Sequence, residues 1–276
     1  MNITKAEIET TTLLTDEAKA WADTNLEYLN KPMNVFGSSV KVEKGKDKRD
    51  TYIMYLQPAG KVSKKTLCAG ARASGCEAPC LIISGMLGMT TGQNAATKRT
   101  ILMLLRHKWF EQQLLKEIDK AERKAEKTGI PALFRLNGTS DIDWRYIIEQ
   151  RPNSQFYDYT KILSLIRKNA LKNYSLTFSG SMYSKASKSA LSKAVKQGYN
   201  VAVAYNTKGL SSDNIAIPNS LADFDKSDLR PLDSKGAIGA LKRKGSNKAQ
   251  RAAENYKSFF VTKDNEKEFN NIIAMG

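Results

Sequence analysis

Cys68, Cys76 and Cys80 are the chain's three cysteines, and all fall within thirteen residues. An odd number cannot pair off completely as disulfides, so a disulfide framework is excluded. Thiolates gathered this closely suit a soft metal or an iron–sulfur cluster. Three protein ligands also leave one coordination position open, and an open position is where chemistry can occur. Cys76 and Cys80 are four apart, so a helical turn would put both on one face. Cys68 would reach in from the preceding loop, and Gly70 and Gly75 would allow tight backbone around a metal. Three outcomes follow for this loop. It holds a [4Fe–4S] cluster on Cys68, Cys76 and Cys80, a Cys3His zinc site completed by His107, the single histidine, or no metal.

The elements that must position such a loop are legible as an alternation. Residues 3–30, rich in Ala, Glu, Thr and Leu, read as one or two helices that end at Lys31-Pro32. Residues 41–50 read as a solvated loop or hairpin tip. Residues 51–56 read as a buried strand, and the cysteine loop follows its turn directly. A long helix is predicted over residues 94–127, closed by Gly129. Further strands are predicted at 131–136, 155–159, 174–178, 200–205 and 235–241, with a last short one at 259–261. Helices between them are predicted at 144–150 (capped by Asp143), 161–172 and 185–197. Residues 206–233 are polar and resist assignment. Strands alternating with helices of this length imply βαβ units and parallel pairing.

The expected fold class is therefore α/β, a partial (β/α)6 TIM-like barrel with an N-terminal helical extension. The expected domains are an extension over 1–40, the barrel over 41–262 and a tail over 263–276. In such a barrel the site is built from loops after the C-terminal ends of the strands. The informative segments lie there: the cysteine loop, residues 137–141, Thr160-Lys161, residues 179–181 and residues 206–208.

Composition narrows the function classes. The chain of 276 residues is 41% hydrophobic, enough for a sizeable core. No apolar run reaches membrane-spanning length and the N-terminus lacks a signal-peptide core, so a soluble cytoplasmic protein with reduced thiols is expected. Lys and Arg number 44 against 28 Asp and Glu, a net charge of +16. Such an excess favours a polyanionic partner, most often nucleic acid, against the plainer reading of a solubilising surface. Lys242, Arg243, Lys244 and Lys248 are the candidate nucleic-acid contacts, with further basic residues at 44–49, 61–65 and at Arg167, Lys168 and Lys172. Tyr174, Tyr183, Tyr256 and Phe259 are candidate stacking residues.

Asp141 and Asp158 lie at predicted strand ends and are candidates for hydrogen bonding to a ribose or substrate. Lys161 and Lys208 could bind phosphate or carboxylate, or be ordinary surface lysines. Asp223, Asp225, Asp228 and Asp233 form an acidic island whose spacing does not match an EF-hand loop. No Walker A, Ser-His-Asp or dinucleotide glycine motif is present. A single histidine also disfavours histidine-based acid–base chemistry.

A three-cysteine loop directly after the first barrel strand resembles that of the radical S-adenosylmethionine (SAM) superfamily. The spacing differs, being C-x7-C-x3-C with Pro79 before the last cysteine, where the superfamily has C-x3-C-x2-C with an aromatic there. More closely, the span from about Thr51 to Val261 resembles a phage family of the "gene product eighty-eight" type. The resemblance rests on the loop TLCAGARASGCEAPCL (66–81) and on RLNGTSDI (135–142), QFYDYTK (155–161), NYSLTFS (173–179) and DLRPLDSKG (228–236). It implies a [4Fe–4S] cluster on the three cysteines with SAM on the open iron. Asn137, Gly138, Ser140 and Asp141 would then lie where SAM is held, with Asp158, Lys161 and Ser179 at neighbouring strand ends.

The function expected from these readings is a phage-type, radical-SAM-like iron–sulfur enzyme acting on a nucleic acid or nucleotide in the host cytoplasm. The alternatives are a non-catalytic basic nucleic-acid-binding protein with a structural iron–sulfur or zinc site, and a protein that binds a host factor.

Overall fold

The computed structural model describes residues 2–37, 49–77, 79–207, 215–226, 229–244 and 259–275. The chain divides into two compact units, Met1–Cys68 with Met86–Phe156, and Ala69–Gly85 with Tyr157–Gly276. Among the described residues no helix is long and apolar enough to cross a membrane.

The first unit opens on three short helices, α1 (Lys5–Thr10), α2 (Asp16–Thr24) and α3 (Leu26–Asn30). Thr4 and Glu7 form a reciprocal capping box that satisfies backbone donors at the start of α1. Strand β1 (Asp50–Ile53) follows, then α4 (Thr90–Leu105), α5 (His107–Thr128), β2 (Ala132–Arg135) and α6 (Arg145–Ile148). Helix α5 buries Phe110, Leu114, Ile118 and Ala121 along one stripe. It ends at Gly129, whose φ of 68° is the left-handed conformation that closes helices. Strands β1 and β2 pair in parallel from Asp50↔Ala132 to Ile53↔Arg135. Phe36, Tyr52, Phe134 and Phe156 pack there with successive ring centroids 5.3–5.8 Å apart. Two carbonyls at the end of α3, of Tyr28 and Lys31, accept from the buried ammonium of Lys98.

Strand β3 (Gln155–Thr160) begins in the first unit, paired in parallel with β2, and continues into the second. There follow α7 (Leu163–Lys168), β4 (Tyr174–Ser179), α8 (Lys185–Lys196), β5 (Val201–Tyr205), β6 (Ala222–Asp223), β7 (Ile238–Lys242) and α9 (Glu266–Ile273). The hydrogen-bonded order is β1-β2-β3 in the first unit and β3-β4-β5-β7-β6 in the second, with parallel pairing at β4–β5, β5–β7 and β6–β7. Strands β1 to β5 thus lie in chain order, the sequence of neighbours that repeated βαβ units generate. The core of the second unit joins Phe178, Leu191, Val195, Val201, Val203, Tyr205, Phe269 and Ile272.

The mixed α/β class and the parallel sheet agree with the sequence reading. Several elements differ in detail. The long helical stretch predicted over 94–127 is two helices, broken at Arg106 (φ −134°, ψ 47°). The strand predicted at 259–261 is one isolated bridge, Val261 to Tyr205. The region predicted as a tail contains α9, which buries Phe269 and Ile272.

Candidate functional site

In the second unit, residues 70–76, which lead into Cys76, are built as a tight turn. The amides of Ser74, Gly75 and Cys76 donate to the carbonyls of Gly70, Arg72 and Ala71 at 3.0–3.1 Å. The Ser74 hydroxyl also donates to the carbonyl of Gly70 at 2.7 Å. Gly75 adopts φ +70°, where a side chain would be strained. A Cβ there would also meet the ring of Tyr183 at 2.5 Å.

This turn is fixed to the C-terminal ends of β3 and β4. Ser181, two residues past β4, donates its hydroxyl to the carbonyl of Ser74 at 2.7 Å. Ser184, the N-cap of α8, donates to the carbonyl of Ala73 at 2.8 Å. Gly70 packs on Lys161, just past β3; a Cβ at residue 70 would sit 2.6 Å from Lys161 Cβ. Cys76 and Cys80 are both partly exposed. Parallel α/β sheets place ligand sites beyond the carboxyl ends of their strands, and this loop occupies such a position.

Lys161 and Ser179 come together there. The Lys161 ammonium donates to the Ser179 hydroxyl at 3.0 Å and to its carbonyl at 3.2 Å, and lies 5.0 Å from the ring centroid of Phe259. Asp158 is fully buried within β3 and accepts from the Tyr174 hydroxyl at 3.0 Å. Both groupings were within reach of sequence reasoning as residues, but not as pairs.

In the first unit, Cys68 stands beside the loop after β2. Its thiol donates to the carbonyl of Thr139 at 3.4 Å, and a parallel bridge joins Cys68 to Asp141. Asn137 is buried and organises its own loop. Its carbonyl oxygen accepts from the Ser140 hydroxyl and the Ile142 amide, and its amide donates to the Ile142 carbonyl, all at 2.8–2.9 Å. Gly138 lies against β1 and the two residues after it. A Cβ there would meet Met54 O at 2.6 Å and Ile53 and Tyr55 side-chain atoms at 2.7 Å. His107 stands at the start of α5, its Nε2 3.0 Å from Glu111.

No disulfide joins the cysteines. The donor chemistry of three thiols suits a soft metal. Among the described residues, however, no three His, Cys, Asp or Glu side chains gather as a metal-binding group.

The basic candidates diverge. Arg243 is buried, and its Nη1 donates to Asn206 Oδ1 at 2.7 Å. Lys244 pairs with Asp225, and the Lys242 amide donates to the same carboxylate at 2.6 Å. Lys248, Lys208 and Tyr256 lie outside the described residues, as do residues 44–48. Sequence reasoning pointed to residues 179–181 but not to the bond Ser181 makes, and it missed Ser74 and Ser184, since isolated serines carry no distinguishing pattern. It pointed to residues 206–208 at the end of β5, but not to the bond that Asn206 makes with Arg243.

Together these features define an α/β protein with a parallel sheet and a cysteine-bearing turn held at its strand ends. The Gene product 88 family model matches residues 11–258, and the chain belongs to that family. No curated protein and no solved structure matches the chain.

Proposed function

We propose that the protein is an iron–sulfur enzyme of radical-SAM-like type that acts on a nucleic acid or nucleotide, with Cys68, Cys76 and Cys80 as cluster ligands. The observation that carries the reading is the fixing of the turn just before Cys76, at the carbonyls of Ser74 and Ala73, to Ser181 and Ser184, which follow the C-terminal end of β4. A bound [4Fe–4S] cluster with SAM on its open iron would supply reductive cleavage of SAM to a 5′-deoxyadenosyl radical. The chain's own contribution would be to hold the loop rigid and to offer the Lys161 ammonium and Ser179 hydroxyl beside it. The net charge of +16 favours a phosphate-bearing substrate. A reducing cytoplasm, such as that of a phage host, would keep the thiols available.

Anaerobic purification followed by iron and sulfide reconstitution tests this. The expected product is brown, holds about four iron atoms per chain, and releases 5′-deoxyadenosine from SAM when reduced. Cys76→Ser and Cys80→Ser should each lower the iron content without unfolding the protein. A colourless protein carrying one zinc per chain would replace the reading with a structural metal site.

The same charge excess supports a second reading, a non-catalytic nucleic-acid binder in which the metal only staples the loop. It requires binding that weakens steeply with salt as counterions are released. An intact cluster with no SAM cleavage, together with such binding, would favour it. A protein without affinity for nucleic acid even at low salt would instead point to a host-protein partner.

A further inference from the structure

The cations of the second unit are gathered rather than spread. No Asp or Glu occurs between Asp158 and Asp213, a stretch that holds α7, β4, α8 and β5 and every lysine of α8. Lys185, Ser189 and Lys193 stand one turn apart on α8, and Lys196 follows in line, so they form one stripe. All four are exposed. At 1.5 Å per residue the stripe runs about 16 Å. The remaining lysine of the helix, Lys188, lies at the edge of this face and is paired with Glu268 of α9 at 2.6 Å. Among the described residues, Lys185, Lys193 and Lys196 make no ion pair.

The opposite side of α8 is committed to the core. Leu191, Ala194 and Val195 are buried with Phe178, Val201 and Val203, and α7 packs on the same cluster through Leu163 and Ile166. Helix α8 therefore has no free apolar face, which a membrane-surface helix must have. Nor does its exposed face hold an aromatic, Met or Arg anchor of the kind that centres a protein interface, where lysine is depleted. Between the lysines stand Ala186 and Ser189, both exposed and short, so a partner's surface can lie close along the helix. The Ser189 hydroxyl can donate to an anionic oxygen. With no aromatic in the stripe, the bases of a single strand find no platform on which to stack. Such a face matches the backbone of a duplex, which carries one negative charge per about 1.7 Å of its axis.

We propose that the exposed face of α8, through Lys185, Ser189, Lys193 and Lys196, docks the sugar–phosphate backbone of a nucleic-acid duplex without reading its sequence. The assignment rests on the nucleic-acid reading above for the class of partner, and adds where that partner sits. It places the contact away from Arg243 and Lys244, which are engaged by Asn206 and Asp225. Phosphate contacts position a duplex and carry no base information, so binding here is the same for unrelated sequences. The face needs no metal, so its test is independent of the cysteine loop.

The experiment is fluorescence anisotropy of the full-length protein with a labelled DNA duplex of about 20 base pairs, two helical turns, over a range of salt. Two unrelated duplex sequences should bind alike, and each more tightly than its single strand. The triple variant Lys185→Ala, Lys193→Ala, Lys196→Ala should bind at least about tenfold more weakly at low salt, with the slope of log affinity against log salt shallower by about 2–3. Lys193→Glu alone should weaken binding severalfold, which keeps the test valid if the triple variant misfolds. Lys108→Ala, Lys116→Ala, Lys120→Ala removes the same charge from exposed positions on α5 and should bind like the wild type. If the wild type binds no nucleic acid even at low salt, the nucleic-acid reading falls and this assignment falls with it. If the wild type binds but the folded α8 variants bind equally well, or the α5 variant is weakened as much, that reading stands and the α8 face is overturned. Tighter binding of the single strand overturns the duplex as occupant. Polyglutamate that competes as well as unlabelled duplex, charge for charge, overturns the assignment in favour of an acidic protein.

Discussion

Ser181 donates its side-chain hydroxyl to the carbonyl oxygen of Ser74 at 2.7 Å, tying the end of β4 to the turn that precedes Cys76. Three residues on, Ser184 reaches the neighbouring carbonyl of Ala73 while also capping α8 through the Ser187 amide at 3.1 Å. The two bonds are not equivalent. The Ser181 bond is buried, whereas Ala73 is exposed and its carbonyl can turn to water.

Ser181→Ala should therefore cost about 1–3 kcal/mol, the penalty for leaving a buried acceptor unmatched. Ser184→Ala should cost about 1 kcal/mol, mainly through the lost cap. Urea denaturation compares the two, and hydrogen exchange at the amides of Ser74, Gly75 and Cys76 should quicken more in Ser181→Ala. Equal exchange in both variants would mean that the clamp does not hold the turn.

Gly75 and Tyr183 make a second contact in the same place. Gly75→Ala meets two penalties, a left-handed φ worth about 1–2 kcal/mol and a Cβ only 2.5 Å from Tyr183 ring carbons. The atoms struck lie near the base of the side chain, so the ring must swing out rather than flex. The double variant Gly75→Ala with Tyr183→Ala should recover the steric part and keep the backbone part. Strict additivity in this cycle would show that the ring is not in the way.

How much of this was legible in the sequence depends on where the cause lies. Strands β3, β4 and β5 were readable because apolar and β-branched residues cluster between turn signals. Helix α8 was readable because Leu191, Ala194 and Val195 fall on one face and Gly198 follows. The break between α4 and α5 was not. No Gly or Pro marks Arg106, whose Nη2 donates to the carbonyl of Asn2 and to Glu7, a hundred positions away. Arg243 reads as part of a basic run because a charge count ignores burial; in the fold its guanidinium lies inside, bonded to Asn206. Asn137 and Gly138 stand at a strand end as expected. Yet the Asn137 amide is engaged with its own loop and Gly138 is demanded by β1 packing, roles set by contacts that spacing does not encode.

Gly239 on β7 lies directly under Phe224. A Cβ at that position would approach three ring carbons at 2.2 Å. On Phe224 also rests the Arg230 guanidinium, 3.6 Å from the ring centroid, and both residues are buried. Gly239→Ala must push the ring away from its cation. The cost should be about 1–3 kcal/mol for overpacking, with up to about 2 kcal/mol more if the cation–π contact is lost. Thermal unfolding of Gly239→Ala and of Phe224→Leu decides the matter, since the smaller side chain should relieve the clash when the two are combined. If Gly239→Ala alone melts like the wild type, the ring is not confined there.

Glu7 gives a prediction for acid. Its carboxylate accepts from the Thr4 amide at 2.9 Å and from Arg106 Nη2 at 2.8 Å. The Thr4 amide first, then the Arg106 guanidinium, hold its pKa below the ordinary glutamate value of 4.5. A carboxylate with a lowered folded pKa stabilises fully above its unfolded value, and this stabilisation disappears as pH falls through the lower, folded one. Glu7→Gln keeps the shape but cannot titrate. The wild type should therefore melt higher than Glu7→Gln at neutral pH, and the gap should narrow only below pH 4.5. The gap should also shrink at high salt, because Glu7 is partly exposed and its pairing with Arg106 is screened. A constant gap across the acid range would assign the effect of Glu7→Gln to the cap's shape alone. Disappearance of the gap in an Arg106→Met background would instead trace it to the ion pair at the α4–α5 break.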